Sequence, residues 1–317
     1  MKNEVALYVG DSLGKYGFPE GHPFGQDRQA AFWNEAVKQG LDRRTAITPP
    51  RMAAEEELKR FHTADHVSWV KQKSDEGSGA IDYGDTPAYP GVFEAAATVA
   101  GSALHGLDTI MSGGALRTFQ PIGGLHHARR QNAAGFCVFN DIGLVIDTLR
   151  SQYGIQRVAY VDIDVHHGDG VYYPYEDDPD LIFADVHQDG RTLYPGTGFA
   201  HETGKGGAAG TKLNISLQPG MGDRDFLDVW PKVIDHLRQF KPEFILMQCG
   251  ADGLIGDPIA NLRYSPETHA YAAKQMCALA NELAGGRIMG FGGGGYNRGN
   301  LAAAWCAVLD QFIRGSE

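Results

Sequence analysis

Short apolar segments alternate along the chain with longer segments in which apolar residues recur every three or four positions. The short segments are typical of buried strands and the longer ones of amphipathic helices. The predicted strands are VALYV, RTFQPI, RVAYVDIDV, LIFADV, KLNISL, FILMQC and RIMGF. The predicted helices run from Asp27 to Gln39, Phe93 to Met111, Asn140 to Tyr153, Asp223 to Phe240, Pro266 to Leu283 and Asn300 to Ile313. This alternation predicts the α/β fold class, an open parallel sheet with helices on both faces.

The predicted elements follow one another without an internal repeat, a low-complexity block or a linker. We therefore expect a single domain over residues 1–317. Glycine-rich stretches from Gly77 to Gly91 and from Gln188 to Gly210 are predicted to be long surface loops. Ligands of open α/β sheets bind beyond the carboxyl ends of the strands, so chemistry is expected in the residues that follow each strand.

The segment Asp162 to Gly170, DIDVHHGDG, holds the densest group of candidate ligands. β-Branched residues alternate there with Asp162, Asp164 and His166, which predicts a buried strand with these three side chains on one side. A charged strand end that enters a loop is the alternative, but buried charges need a partner. We expect Asp164 and His166 to bind one divalent ion, and this ligand type favours zinc, with iron or manganese as alternatives.

A third ligand is expected after the strand FILMQC, where Asp252 follows an apolar run. With Asp164 and His166 it would leave a coordination position open for water, as in catalytic rather than structural sites. Alternatively, Asp252 or Asp257 caps the loop.

The loop GGLHHARR carries adjacent histidines, His126 and His127, which are candidates for proton transfer. Asp162 and Asp169 remain as carboxylate partners that would orient the two imidazoles once Asp164 and His166 bind the metal. Two loop histidines could instead be solvated or structural.

The last predicted strand leads into GGGGYNRGN. This glycine run lacks the spacing of a dinucleotide-binding loop and the lysine of a phosphate-binding loop. A compact backbone beneath Tyr296 is the better interpretation, because a phenol there can donate a hydrogen bond to a developing oxyanion.

Composition narrows the class of protein. A formal net charge of -11 disfavours binding to nucleic-acid phosphates. The four cysteines lack a C-x-x-C spacing, so buried, reduced thiols are expected. The N-terminal apolar stretch is too short for a signal peptide, and no segment approaches the length of a membrane span. These features predict a cytoplasmic enzyme without a direct nucleic-acid or membrane partner.

Taken together, the motifs resemble those of the histone deacetylase superfamily, which includes acetoin-utilisation proteins and acetylpolyamine amidohydrolases and shares its fold with arginases. The resemblance covers nearly the whole chain. It rests on motifs in the family's order: HPFGQDR, FHTADHVSWV, GDTPAYPGVFEAA, GGLHHARRQNAAGFCVFND, YVDIDVHHGDGV, YPGTG, GADGLIGDP and GGGGYN.

The resemblance assigns a role to each candidate residue. The expected ligands of Zn(II), with Fe(II) as the alternative, are Asp164, His166 and Asp252. His127 backed by Asp169 would act as general base and then as acid, His126 backed by Asp162 would assist electrostatically, and Tyr296 would polarise the acetyl carbonyl.

The resemblance also implies a tunnel for the substrate. Phe136 and Tyr194 would form its aromatic walls, and Gly135 would supply a carbonyl along it. Asp85 would be the rim carboxylate that anchors the substrate. Arg28 resembles an arginine that lines an inner channel.

A structural potassium site is a further expectation. Its residues would be Asp162, Asp164, His166, Asp185 and Val186. Asp185 stands where the family has a serine, so the site itself is in question. A second, outer cation position would lie near Tyr175, Asp178 and Leu181.

These residues predict a metal-dependent deacetylase that acts on acetyl-lysine side chains of proteins or on related N-acetylated amines. Acetylpolyamine hydrolysis is the alternative within the family, and a non-catalytic acyl-ligand-binding protein is the alternative from another class. A ureohydrolase needs further Asp and His ligands for a second metal, and a dinucleotide-binding oxidoreductase needs a GxGxxG after the first strand. A homo-oligomer is compatible with the sequence.

Overall fold

The computed structural model describes residues 5–19 and 21–315. Within them, the strands are β1 (Val5–Tyr8), β2 (Ala46–Thr48), β3 (Arg117–Gln120), β4 (Val158–Asp162), β5 (Leu181–Gln188), β6 (Lys212–Leu217), β7 (Phe244–Gln248) and β8 (Ile288–Phe291). They form one sheet in the order β2-β1-β3-β8-β7-β4-β5-β6. Every neighbouring pair is parallel, which confirms the predicted open parallel sheet.

The helices connect these strands. They are α1 (Asp11–Gly14), α2 (Arg28–Lys38), α3 (Glu55–Leu58), α4 (Ala64–Glu76), α5 (Val92–Met111), α6 (Asp141–Tyr153), α7 (Asp169–Tyr172), α8 (Asp223–Phe240), α9 (Pro266–Leu283) and α10 (Arg298–Arg314). The stretches predicted as long loops are irregular, except for a 3-10 turn at Gly206–Ala208 and for Gln188, which ends β5.

Side chains of β1, β4, β5 and β7 alternate between two hydrophobic cores. In β4, Val158 and Tyr160 belong to one core, whereas Ala159 and Val161 belong to the other. Helices α5 and α6 contribute to the first core, and α2, α8, α9 and α10 contribute to the second. Helices therefore cover both faces of the sheet, as the sequence predicts.

Strand β4 is shorter than predicted, which corrects the expectation that it continues through His166. Its ladder ends at Asp162. Beyond that residue, Ile163 N still donates to Gln248 O of β7 at 3.2 Å, but the N–H of Asp164 donates to Asp162 Oδ1 at 3.0 Å, and the N–H of His166 donates to Asp164 Oδ1 at 3.0 Å. Aspartate side chains compete for backbone hydrogen bonds in this way, so the regular ladder ends.

The four central strands β3, β8, β7 and β4 are neighbours, and all are parallel. Their carboxyl ends therefore meet at one edge of the sheet. The loops that follow them contain the motifs GGLHH, GGGGY, GADG and DVHHGDG, respectively. This topology brings the predicted metal ligands, the two histidines and Tyr296 to one edge of the sheet.

Candidate active site

Three buried side chains converge beyond the ends of β4 and β7. His166 Nδ1 lies 3.0 Å from Asp164 Oδ1 and 3.2 Å from Asp252 Oδ2. The candidate ligand atoms of these three residues all lie within 4.8 Å of one another. Among the described residues, this is the one group of three or more His, Cys, Asp or Glu side chains with such spacing. The structure therefore brings the predicted ligands together. Within the described residues there is no second such group, which a two-metal ureohydrolase would need.

Neighbouring groups fix the two carboxylates. Asp164 Oδ2 accepts hydrogen bonds from Gln248 Nε2 and from the N–H of Gly294, each at 2.8 Å. Asp252 Oδ1 accepts one from the N–H of Val165 at 3.0 Å. A Cβ on Gly294 would lie only 2.0 Å from Asp252 Oδ2, so the glycine run allows the backbone to approach the carboxylates.

This group fits a divalent cation. Asp252 Oδ2 is buried and accepts no hydrogen bond from the described residues. Burial lowers the pKa of His166, but Asp164 and Asp252 outweigh that effect and raise it to about 10. A cation would compensate both carboxylates, whose burial is otherwise costly. Two carboxylates and one imidazole suit Zn(II) or Fe(II), and three protein ligands leave a coordination position open.

His126 and His127 each contact a buried carboxylate through Nδ1. His126 Nδ1 lies 2.7 Å from Asp162 Oδ2, and His127 Nδ1 lies 2.7 Å from Asp169 Oδ1. The loop that carries them is held by Asp141, which accepts hydrogen bonds from two N–H groups of that loop. Because Nδ1 is engaged in both rings, Nε2 is the nitrogen left for the cavity that both residues line. The pairing agrees with the expectation from the resemblance.

The two carboxylates have different further partners, which sequence reasoning missed. Tyr160 Oη donates a hydrogen bond to Asp162 Oδ2 at 2.5 Å. Arg129 Nη2 donates one to Asp169 Oδ2 at 2.7 Å. Tyr160 lies two residues before Asp162 on β4, so the period of a strand could have placed its side chain beside that carboxylate. No sequence signal distinguishes Arg129 from its neighbour Arg130.

The two imidazoles titrate in opposite directions. Burial lowers the pKa of His126, but the charges of Asp162 and Asp164 outweigh it and raise the pKa to about 9. Burial, together with the neighbouring charge of His126, lowers the pKa of His127 to about 4. Their ring centroids are only 4.1 Å apart. Without a bound metal ion, neutral pH therefore favours a protonated His126 and a neutral His127.

Tyr296 presents a protonated phenol to the cavity. Burial, followed by the charge of Asp252, raises its pKa well above the ordinary value. Its backbone N–H donates to Asp257 Oδ2 at 2.8 Å, so Asp257 is an anchor for this loop rather than a ligand. Arg28 is fully buried and donates to two carbonyls of the same glycine-rich loop, at 2.9 and 2.6 Å. Within the described residues, Tyr296 Oη forms no hydrogen bond and is free to donate to a ligand.

A cavity of about 270 Å³ leads to this centre, and its lining includes Gly135, Phe136 and Tyr194. The Phe136 ring lies 5.9 Å from that of Tyr296, between centroids. Phe136 has a positive φ of 68°. This strained backbone is held by two hydrogen bonds: Tyr16 Oη donates to Phe136 O at 2.7 Å, and Phe136 N donates to a threonine hydroxyl at 3.1 Å.

Gly135 is required by its surroundings. It has a φ of +54°, and a Cβ there would lie 2.5 Å from His127 Cδ2 and 3.0 Å from Tyr194 Cε1. Any larger residue would displace the imidazole or the tunnel wall. The structure therefore brings all three predicted tunnel residues to the same passage.

Asp85, the predicted rim carboxylate, is exposed and contributes to the lining of the cavity. Partial burial and the adjacent Asp82 raise the pKa of its carboxyl group to about 6. His22 Nε2 lies 3.2 Å from Asp85 O, and its ring contacts Phe136 with 4.6 Å between centroids. Phe24 also lines the cavity. Sequence reasoning assigned no role to His22 or Phe24, although both lie in the motif HPFGQDR.

The inner monovalent-cation position includes Asp185 and Val186 of β5. Asp185 Oδ1 lies 2.7 Å from His187 Nδ1, and Asp185 Oδ2 accepts a hydrogen bond from Gly168 N at 2.9 Å. His187 Nε2 lies 2.8 Å from the carbonyl of Gly198, which only accepts, so Nε2 carries a proton. Burial lowers the pKa of His187, but the charge of Asp185 outweighs that effect and raises it. Both carboxylate oxygens therefore have partners within the protein, and the expected potassium site is not supported.

The four cysteines are free and buried, in agreement with the expected reduced thiols. Among the described helices, none is both long and apolar enough to span a membrane.

Comparisons with known proteins agree with this geometry. The family model described as "Histone deacetylase domain" matches residues 22–312. The acetoin utilization protein AcuC of Bacillus subtilis (strain 168) is 35% identical over 317 residues, which cover 97% of this chain and 81% of that protein. AcuC of Staphylococcus aureus (strain MRSA252) is 33% identical over 320 residues, with 98% and 82% covered.

The fold is also similar to that of a solved structure, the crystal structure of the HDA15 HD domain. The TM-score is 0.90 at 26% sequence identity, and the superposition covers 99% of this chain and 89% of the other. The similarity therefore extends over the sheet, the helices and the loops that carry the candidate residues.

Proposed function

Because the chain belongs to the histone deacetylase family, we propose that it hydrolyses the amide bond of an acetylated amine, with acetyl-lysine side chains or related N-acetylated amines as substrates. One observation carries the proposal. Three buried metal ligands, two carboxylate-backed histidines and an unpaired phenol meet at the end of one aromatic cavity. We further propose that the whole chain forms a single catalytic domain.

We propose that Asp164, His166 and Asp252 bind Zn(II), with Fe(II) as the alternative. Such an ion supplies Lewis acidity and a water molecule that ionises near neutral pH. An unactivated amide also needs a base, a donor to its carbonyl oxygen, and a proton for the departing amine. The side chains around the ligands can meet these three needs.

His127 is suited to be the base. Its low pKa keeps Nε2 unprotonated at neutral pH, and Asp169 fixes the tautomer through Nδ1. The proton taken up at Nε2 would then pass to the amine nitrogen. His126, whose pKa is raised by Asp162 and Asp164, would contribute a positive electrostatic field beside the reacting group when it is protonated.

Tyr296 and the tunnel orient the substrate. The phenol would donate a hydrogen bond to the acetyl oxygen, whose negative charge grows as the amide is attacked. Phe136 and Tyr194 would enclose a methylene chain, which is apolar and passes between aromatic faces. Asp85 at the rim would accept hydrogen bonds from the part of the substrate outside.

Acetylpolyamine hydrolysis is the second candidate, because a rim carboxylate can also attract a cationic amine. A non-catalytic binder of acylated ligands is disfavoured, because it would not need two carboxylate-backed histidines. The four buried thiols support a reducing compartment, the cytoplasm.

The test uses a fluorogenic acetyl-lysine peptide and the zinc-loaded protein. We expect turnover that is abolished by exhaustive chelation and restored by Zn(II). Full turnover that survives chelation, or that survives Tyr296→Phe combined with His127→Ala, would contradict the proposal. Comparing kcat/KM for acetyl-lysine peptides, acetylputrescine and acetylspermidine would then separate the two substrate classes.

A further inference from the structure

Lys212 is the first residue of β6, and its charged side chain is buried, which is rare for a lysine. The residue is 2% exposed. Its Nζ donates hydrogen bonds to Asp178 O at 2.7 Å, to Leu181 O at 2.7 Å and to Thr211 Oγ1 at 2.8 Å. An ammonium group has three donors, and all three are used. The surrounding oxygens are uncharged, and no carboxylate of the described chain forms an ion pair with this lysine.

The carboxylate of Asp178 has other partners. Asp178 Oδ2 forms an ion pair with Arg150, and Asp178 Oδ1 accepts the N–H of Asp180 at 2.9 Å. Burial lowers the pKa of Lys212 to about 8, against the raising effect of Asp178, so the ammonium form persists at neutral pH. Lys212 is therefore a cation bound by carbonyl and hydroxyl oxygens alone.

Oxygens of this kind are also ligands of dehydrated alkali-metal ions, since carbonyl dipoles can replace the hydration shell of potassium. An ammonium group and a potassium ion are similar in size and charge. Asp178 lies in the segment before β5, and Leu181 is the first residue of β5. An outer monovalent cation was expected from the sequence near these two residues. Lys212 Nζ occupies that oxygen cage.

We propose that Lys212 supplies a covalently tethered monovalent cation at this position, so that the protein binds no dissociable potassium there. The tether also joins the beginning of β6 to the segment before β5. Lys212 directly follows the loop of residues 189–211, and this loop carries Tyr194 of the tunnel. The inference does not depend on the proposed reaction.

The test compares the thermal unfolding of the full-length wild type, Lys212→Ala and Lys212→Met in chloride salts of potassium, ammonium and choline at equal ionic strength. Lys212→Ala empties the cage, and we expect its Tm in choline to fall by about 5 °C, because buried oxygens lose their donors. Potassium or ammonium should restore most of that loss. Lys212→Met fills the same space with an uncharged chain, and its Tm should fall without ion-specific recovery.

The difference between variant and wild type is the quantity to compare, because any cation bound elsewhere affects both proteins equally. The proposal is overturned if Lys212→Met is as stable as wild type in every salt, or if potassium raises the Tm of the wild type as much as that of Lys212→Ala.

A measurement on the wild type covers the case in which both variants fail to fold. Crystals grown in rubidium or thallium salts should show no anomalous density within bonding distance of the carbonyls of Asp178 and Leu181. Density at that position, with the lysine displaced, would equally overturn the proposal.

Discussion

The two histidine–aspartate pairs are alike in residue type and hydrogen-bond length, yet they differ in charge. Both pairs have a distance of 2.7 Å between Nδ1 and the carboxylate oxygen. The pKa of His126 is raised to about 9, whereas that of His127 is lowered to about 4. Adjacent residues with the same kind of partner therefore differ in how strongly they hold a second proton.

The difference originates beyond the hydrogen bond itself. Asp162 has a neutral phenol, Tyr160, as its second side-chain partner, and the charges of Asp162 and Asp164 together raise the pKa of His126. Asp169 has the guanidinium of Arg129, which compensates part of its charge. Burial disfavours both imidazolium ions, and only His126 has enough uncompensated negative charge nearby to overcome it. A divalent ion would lower the pKa of both rings, but it would not remove this difference between their carboxylates.

The comparison predicts that the two histidines are unequal in catalysis. We expect His127→Ala to lower kcat/KM by about 10³-fold, because it removes the group that accepts and returns the proton. His126→Ala should cause a smaller loss, since this ring acts through its charge. Steady-state kinetics on the acetyl-lysine peptide, at equal zinc content by metal analysis, provides the measurement. Equal losses, or a greater loss for His126→Ala, would contradict the assignment.

Substitutions of the two carboxylates should affect catalysis in the same order as substitutions of their histidines. We expect Asp169→Asn to lower kcat by about 10- to 100-fold, because an amide cannot stabilise the imidazolium that forms on His127. The matched variant Asp162→Asn should lower kcat less. If Asp162→Asn proved the more damaging, His126 rather than His127 would be the proton-transfer residue.

A single methyl group can disturb one pair and spare the other. In Gly135→Ala the new Cβ would meet His127 Cδ2 at 2.5 Å, whereas His126 is not among its nearest contacts. We expect kcat/KM to fall by up to about 100-fold from misplacement of the base. Gly154→Ala is the matched control, because Gly154 has a similar φ of +69° with nothing within 4 Å. The control should lose stability but keep its activity; a similar loss of activity there would point to backbone strain instead.

Much of the fold could be predicted because its strands are apolar runs and most of its helices have clear periods. The exceptions lack those signals. Strand β2 has only three residues, all at least partly exposed. Helix α4 is mostly polar, although its ends carry a signal that could have been used: Thr63 accepts the N–H of His66, and Gly77 adopts a φ of 64°.

The metal ligands could be predicted because acidic and imidazole side chains at the ends of apolar strands are unusual. Their supporting residues could not. In the sequence, nothing distinguishes Gln248 from other strand residues. The parallel register places it opposite Asp162, and from there its Nε2 donates a hydrogen bond to Asp164. The predicted length of β4 was wrong for a similar reason. Hydrogen bonds from the backbone to aspartate side chains end the ladder, and the alternating sequence pattern does not reveal them.

The smallest expected effect tests the origin of the difference between the two pairs. In Arg129→Gln, Asp169 regains its full negative charge and holds a proton on His127 more strongly, which raises the pKa of that imidazole. The base works unprotonated, so the acid limb of the kcat/KM profile should move to higher pH. The shift should be small, roughly 0.5 pH unit, because Arg129 is half exposed and screened by solvent.

Tyr160→Phe is the complementary change. Asp162 loses a hydrogen-bond donor, which raises the pKa of His126, and the alkaline limb should move to higher pH while the acid limb stays in place. Raising the ionic strength should shrink the effect of Arg129→Gln, because screening weakens charges at the surface, but not that of the buried Tyr160→Phe. If both variants moved the same limb, or if neither responded to salt, the outer partners would be structural supports, and the opposite charges of the two imidazoles would come from burial and the metal centre alone.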